Sequence, residues 1–177
     1  MKREKIEKTM DKAIEKRRCV NCTMKHEDVY FNFIPLCRSD DFVLAAHDPD
    51  FSLDGYIIFP LENVSRVEIK EGIYNEIMQR EGISANIDIP RIELRSYRGF
   101  FETFLEYGTP VSLDTKDGYF IGNVVKAGNK NVRFSHFNAD GKRLDPVKIS
   151  YDDIYVIYFG NRYTEMFSKY AEPFTDI

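Results

Sequence analysis

Two tandem copies of one small, mainly β module, each flanked by helices, are the fold class the sequence predicts. Three observations lead there. The closing stretch KISYDDIYVIYFGNRYTEMF (148–167) echoes an earlier one, FPLENVSRVEIKEGIYNEIM (59–78). Apolar and polar residues alternate over much of the chain, the period of a half-buried strand. The aromatic share rests on 14 Phe and 11 Tyr with no Trp, side chains that suit pleated sheet surfaces.

The elements follow in order. Ile6, Met10, Ala13 and Ile14 recur at helical spacing with Lys and Glu between them, which predicts an amphipathic first helix. After Arg18 the period changes to two. Val20, Cys22 and Met24 alternate with polar neighbours, and 29–36 and 42–46 read as further strands around the turn RSDD at 38–41. DPDFSLDG is a loop, punctuated by Pro and Gly. YIIF and VSRVEI flank the tight connection PLEN, and 74–80 form a short helix. Pro90 and the lack of a helical period make 83–98 a linker or an added edge strand. Phe100, Phe101, Phe104 and Leu105 then share a helical face that Gly108 and Pro110 terminate.

From Val111 the strand pattern begins again. Val20 lies against Val111, Phe31 against Ile121, His47 against His136, Val64 against Ile154, Val67 against Ile157 and Tyr74 against Tyr163, at an offset that drifts between 89 and 91. The predicted organisation is a first module at 1–82, the linker at 83–98 and a second module at 99–177. Each module has a leading helix, five strands with a tight turn before the last, and a short closing helix. Five short twisted strands pair as one sheet by curling into a small barrel, which also removes exposed edges.

That order resembles the Sm-like (Lsm) small barrel of the wider SH3-like class, and bacterial proteins that carry two such modules. The family's first motif has a Gly in strand two and an Asn-hydrophobe pair in strand three. Gly122, Val124 and Asn131-Val132-x-Phe134 fit it in the second module, whereas Asn32 and Asp41 stand there in the first. The second motif, hydrophobe-Arg-Gly-x-x-hydrophobe, is represented by Ile149-Ser150-Tyr151-Asp152-Asp153-Ile154 and by Phe59-Pro60-Leu61-Glu62-Asn63-Val64, with neither Arg nor Gly. The resemblance therefore implies a base-contacting role for Asn131 alone. Tyr151 offers a stacking face or serves as a barrel core and rim residue.

Charge and composition bound the function. The net charge is -4, but residues 1–18 hold eight Lys/Arg against four Asp/Glu, so the remainder is markedly acidic. That balance argues against a broad electrostatic grip on nucleic acid and leaves room for a local basic face. No apolar run is long enough to span a membrane, and the first residues lack the core of a signal peptide, so a cytoplasmic protein is expected. Three cysteines are an odd number and predict buried thiols in place of a disulfide framework.

Four groups of residues invite chemistry. Cys19, Cys22, His26 and Cys37 have the residue types of a zinc site, but residues three apart on a strand face opposite ways, so thiol packing is expected and no metal. His47 and His136 end the third strand of each module before the acidic loops DPD and NAD, as loop caps or as nucleic-acid contacts near a carboxylate. Asp48, Asp50 and Asp54 lack the full calcium-loop pattern and read as solvated turn carboxylates. Lys5, Lys8, Lys12 and Lys16 interleave with acids that make them a solvated helix face.

With no catalytic constellation, no cofactor and no small-molecule substrate in view, the sequence predicts a non-enzymatic module that associates with a protein partner or with further copies of itself. The alternative is an RNA-binding regulator with a degenerate Sm-like motif, using Asn131, Lys126, Lys130, Tyr151, His136 and His47.

Overall fold

The computed structural model describes residues 1–26, 30–48 and 50–173; Val29 and Pro49, which the sequence assigns to a strand start and a loop, lie outside them. The chain divides into two compact units, Met1–Arg91 and Ile92–Ile177, and the break falls inside the predicted linker. The first unit holds α1 (Arg3–Glu15), β1 (Val20–Met24), β2 (Tyr30–Arg38), β3 (Phe42–His47), β4 (Tyr56–Pro60), β5 (Val64–Ile69) and α2 (Tyr74–Arg80). The second holds α3 (Tyr97–Tyr107), β6 (Val111–Thr115), β7 (Gly118–Ala127), β8 (Asn131–His136), β9 (Val147–Ser150), β10 (Ile154–Phe159) and α4 (Arg162–Tyr170). No described helix is long and apolar enough to cross a membrane.

The expected edge strand in 83–98 is absent among the described residues. Residues 83–96 form turns and extended backbone, Tyr97 and Arg98 already belong to α3, and Ile83 and Ile87 pack into a cluster with Cys19, Leu36 and Met78. Burial of the two isoleucines fixes the segment as a covering layer, so its alternation serves packing without a ladder.

Strands run in the order β5-β1-β2-β3-β4 in the first unit and β10-β6-β7-β8-β9 in the second, with antiparallel neighbours in each. The outermost strands of each order follow one another in sequence. Only a 3₁₀ turn joins them, Leu61–Asn63 between β4 and β5 and Tyr151–Asp153 between β9 and β10. In a flat sheet, four spacings of about 4.8 Å would separate these strands by about 19 Å. The four Cα–Cα steps from the last residue of one strand to the first of the next reach about 14 Å at full stretch. Neither five-strand order can therefore lie flat.

Both sheets bend at the same places. The register shifts between Pro35 and Cys37 in β2 and between Val124 and Lys126 in β7, so Leu36 and Val125 are the extra residues. Second shifts pass over Ser65 in β5 and Tyr155 in β10. Such bulges sharpen twist and re-aim the side chains beyond them.

The ladders correct the correspondence expected between the halves. Phe33 faces both Val20 and His47, while Gly122 faces both Val111 and His136. Phe33, not Asn32, is thus the counterpart of Gly122, and Phe31 matches Phe120 and not Ile121. By the same ladders Phe42, not Asp41, stands opposite Pro60 as Asn131 stands opposite Ser150. The sequence alignment slipped by one residue because either setting lays hydrophobe on hydrophobe, whereas a slip on a real strand exchanges its two faces.

Aromatic packing fills the interior of each unit. Phe33 and Phe59 are fully buried with ring centroids 5.2 Å apart, and Phe31 joins them at 5.4 Å from Phe33. α1 closes over β2 and β5 with Ile6, Met10 and Ala13. In the second unit α3 lays Phe100, Phe101 and Phe104 against the sheet, with Phe104 5.1 Å from Phe159. Ser96 caps that helix by accepting the Gly99 N–H at 3.0 Å, and Gly108 ends it at φ 62.

Gly122 is fixed by close approach. A Cβ there would overlap the Ser135 carbonyl oxygen and stand 2.9 Å from the His136 Cα, both backbone atoms of the adjoining strand. Gly122→Ala is expected to lower unfolding free energy by about 1–3 kcal/mol, the range for overpacking. Urea denaturation measures it, and an unchanged midpoint would contradict the contact.

Candidate functional site

The register of the second sheet assembles a feature that no linear motif marks. Lys126 on β7 lies directly opposite Arg133 on β8, and Arg133 lies directly opposite Lys148 on β9. All three are exposed, and among the described residues none has an ion-pair partner. Directly opposed side chains carry their Cβ atoms about 4.5–5.5 Å apart, and like charges so placed destabilise a sheet. The fold does not require cations there. The same register positions in the first unit, Cys37 opposite Leu44 and Leu44 opposite Ile58, hold three apolar side chains.

Asn131, two residues before Arg133, shares its face of β8, with Ser150 opposite it on β9. Lys130 is exposed in the turn that joins β7 to β8. Three contacts hold this turn. Tyr151 donates its hydroxyl to the Gly128 carbonyl at 2.8 Å and its N–H to the Lys130 carbonyl at 3.1 Å, and Arg98 reaches Asn129 Oδ1 at 3.0 Å. The structure thus brings together Asn131, Lys126 and Lys130 and adds Arg133 and Lys148, which sequence reasoning missed. The missing signal was register: positions 126, 133 and 148 align only once the Val125 bulge is known.

The remaining candidate residues stand elsewhere. Tyr151 is 6% exposed, and its ring packs against Tyr97 at 4.7 Å and Phe101 at 5.7 Å, near parallel to both. Its aromatic faces belong to the interior and its hydroxyl positions the turn. His136 points off the basic face and meets Phe120 edge-on at 5.2 Å. His47 occupies the matching place in the first unit, and its backbone closes the following loop with Gly55 and Asp54. Burial pushes both imidazoles below their usual range; nearby Asp54 and Asp48 pull His47 back up, and Arg143 depresses His136 further. Both shifts disfavour the charged form of the ring that would attract an anion.

Asp48 is a second departure from expectation. It is buried, 1% exposed, and not a solvated turn carboxylate. It accepts from the Cys19 thiol at 3.3 Å, from the Tyr74 hydroxyl at 3.0 Å and from the Phe51 N–H at 2.9 Å. Phe51, at φ 67, stacks on Tyr74 with centroids 4.1 Å apart, and Lys70 Nζ sits 3.3 Å from the centroid of the Tyr74 ring. Asn75 secures the base of the network by bonding Cys19 N–H and carbonyl and the Lys70 carbonyl. A carboxylate that accepts three donors, with its thiol held protonated, clasps a loop to a helix; it does not make a nucleophile.

The cysteines share that character. Burial drives the Cys19 thiol far up, Asp48 adding to the effect, and pushes Cys22 up to about 12. Half-buried Cys37 is raised by burial as well. Among the described residues no group of His, Cys, Asp and Glu is placed to hold a metal. Cys19 lies in the cluster with Met78 and Ile87, while Cys22 lies with Val20 and Met24 on the buried side of β1.

No protein-family model, curated protein or solved structure matches this chain.

The thiol environment is directly measurable. Since only thiolate reacts with a disulfide reagent, the folded protein at pH 8 is expected to leave Cys19 and Cys22 unlabelled, with slow labelling confined to Cys37. Full labelling of all three is expected in denaturant; rapid labelling of Cys19 in the folded state would contradict its raised pKa.

Proposed function

We propose that the chain is a non-enzymatic, cytoplasmic binding protein built from two Sm-like (SH3-like) small barrels, and that its second module holds single-stranded RNA by the phosphate backbone. The barrel reading draws on the order 5-1-2-3-4 in both units, the 3₁₀ turn before the last strand and the leading helix. The observation that carries the RNA reading is the row Lys126–Arg133–Lys148, three opposed cations without carboxylate partners among the described residues. Phosphates relieve that repulsion and release counterions. Asn131 and Lys130 flank the row and extend it along one strand edge.

Recognition on such a surface is by backbone charge with little base readout. The Arg-Gly pair of the family's second motif is missing, and Tyr151 has its ring inside. Phosphate contacts position a strand without selecting its sequence.

Fluorescence anisotropy with labelled oligouridylate tests the reading. Affinity is expected to fall as salt rises from about 50 to about 200 mM, and each Lys→Gln or Arg→Gln change in the row to flatten the slope of log K against log salt by about 0.7. Binding that survives Lys126→Gln/Arg133→Gln/Lys148→Gln unaltered would sink it.

A second reading, association with a protein partner or with further copies, is supported by β5 and β9. Among the described residues β5 pairs only with β1 and β9 only with β8. A strand with one ladder partner is the kind of edge at which strand addition occurs. Sedimentation that shows concentration-dependent assembly, unaffected by the triple variant, is the outcome this reading expects; a monomer at all concentrations counts against self-association.

A further inference from the structure

Beside the basic row stands a neutral polar pair that the fold does not use. Asn131 and Ser150 lie directly opposite each other on β8 and β9, and two residues along the same face stand Arg133 and Lys148, also opposed. Opposed side chains have their Cβ atoms about 4.5–5.5 Å apart, and a step of two strand residues is about 7 Å. The pair is therefore within one side chain's reach of the cations. Both residues are half-buried, their polar atoms are not sealed from solvent, and among the described residues neither side chain makes a hydrogen bond.

The duplicated frame does not need polar residues there. By register, Phe42 and Pro60 hold the two positions in the first unit, and both are buried. The second unit has thus exchanged apolar side chains for a neutral donor-acceptor pair on the same patch where it exchanged them for cations. Gly128 keeps the pair open. Its N–H donates to the Asn131 carbonyl at 2.9 Å, and a Cβ on Gly128 would stand 2.9 Å from that oxygen and 3.4 Å from Asn131 Oδ1. No side chain at position 128 screens the amide.

The chemistry of the pair decides what it meets. An amide donates through N–H and accepts through C=O, and a serine hydroxyl does both. A phosphate only accepts, so it would leave the acceptors of the pair idle. The group that both donates and accepts, and that recurs beside every phosphate of an RNA chain, is the ribose 2′-hydroxyl, by which a protein tells RNA from DNA. Base edges are a worse match, because reading them calls for a surface on which unstacked bases rest. The ring of the adjoining Tyr151 is interior, near parallel to Tyr97 and Phe101, and Arg133 belongs to the row that faces phosphate. Resting on the RNA reading above, we infer that Asn131 and Ser150 hydrogen-bond the ribose 2′-hydroxyl of the strand held by Lys126, Arg133 and Lys148, and so make the site select RNA over DNA.

Anisotropy titrations of the full chain test this with labelled oligouridylate, oligodeoxyuridylate and 2′-O-methyl oligouridylate of one length. The unmodified RNA is expected to bind about five- to tenfold more tightly than the other two, the effect of one or two neutral hydrogen bonds. Asn131→Ala and Ser150→Ala are each expected to weaken oligouridylate binding and leave oligodeoxyuridylate binding unchanged, with circular dichroism melts showing that both variants fold. Lys148→Gln is expected to weaken both ligands by the same factor. Equal binding of RNA and DNA by the unaltered protein overturns the inference, as does a preference for RNA that survives both alanine substitutions. If that binding is still abolished in Lys126→Gln/Arg133→Gln/Lys148→Gln, the phosphate reading stands alone. A difference between oligoadenylate and oligouridylate that Asn131→Ala removes would assign the amide to a base and overturn the inference too. No binding of any oligonucleotide overturns both readings.

Discussion

A three-residue turn joins the first and last strands of each unit's five-strand order, and that constraint shapes the packing of both units. Strands that would otherwise lie about 19 Å apart must meet within about 14 Å of chain. The sheet answers by coiling, and the bulges at Leu36 and Ser65, matched by Val125 and Tyr155, supply the local bends. Phe33 and Phe59 of the first unit's strands are fully buried, as are Phe100 and Phe101 of α3 in the second. A helix or loop layer is needed wherever the outer face of a sheet is apolar. α1 provides such cover in the first unit with Ile6, Met10 and Ala13.

Because the constraint is the same in both units, their differences read as divergence of contents within one frame. The positions that hold Cys37, Leu44 and Ile58 in one copy hold Lys126, Arg133 and Lys148 in the other. A like exchange occurs beyond the third strand. Asp48 and Tyr74 form a hydrogen-bonded clasp in the first unit, whereas their counterparts Phe137 and Tyr163 gather around Phe167, at 6.4 and 4.8 Å. One copy secures its closing helix with a buried carboxylate, the other with stacked rings. A hydrogen-bonded network fixes geometry through direction, while rings fix it through area.

The sequence carried the elements and their order well, since strand alternation in VNCTM or IYVIYF and the Phe100–Phe101–Phe104 face are set by burial alone. It carried the register poorly. FNFIPLCR and FIGNVVKA align equally well at two offsets, and what decides between them is a bulge at Leu36 or Val125, ordinary apolar residues with no turn signature. That ambiguity hid the candidate site. Lys126 and Lys130 were visible as charges and Asn131 through its motif, but Arg133 and Lys148 join them only across ladders. Asp48 was misread for a related reason: DPD looks like a solvated turn, and its burial depends on Tyr74 and Cys19, 26 and 29 positions away.

The basic row belongs to a chain whose net charge is -4, and the combination has a consequence for how an anionic ligand would approach. Screening confines the field of a small exposed patch to about 8–10 Å at physiological salt. On the proposed RNA reading, a polyanion at longer range meets a mildly repulsive protein and is drawn in near Lys126, Arg133 and Lys148. The acidic remainder suppresses binding elsewhere on the surface, which narrows where a ligand can settle even when its sequence is not read.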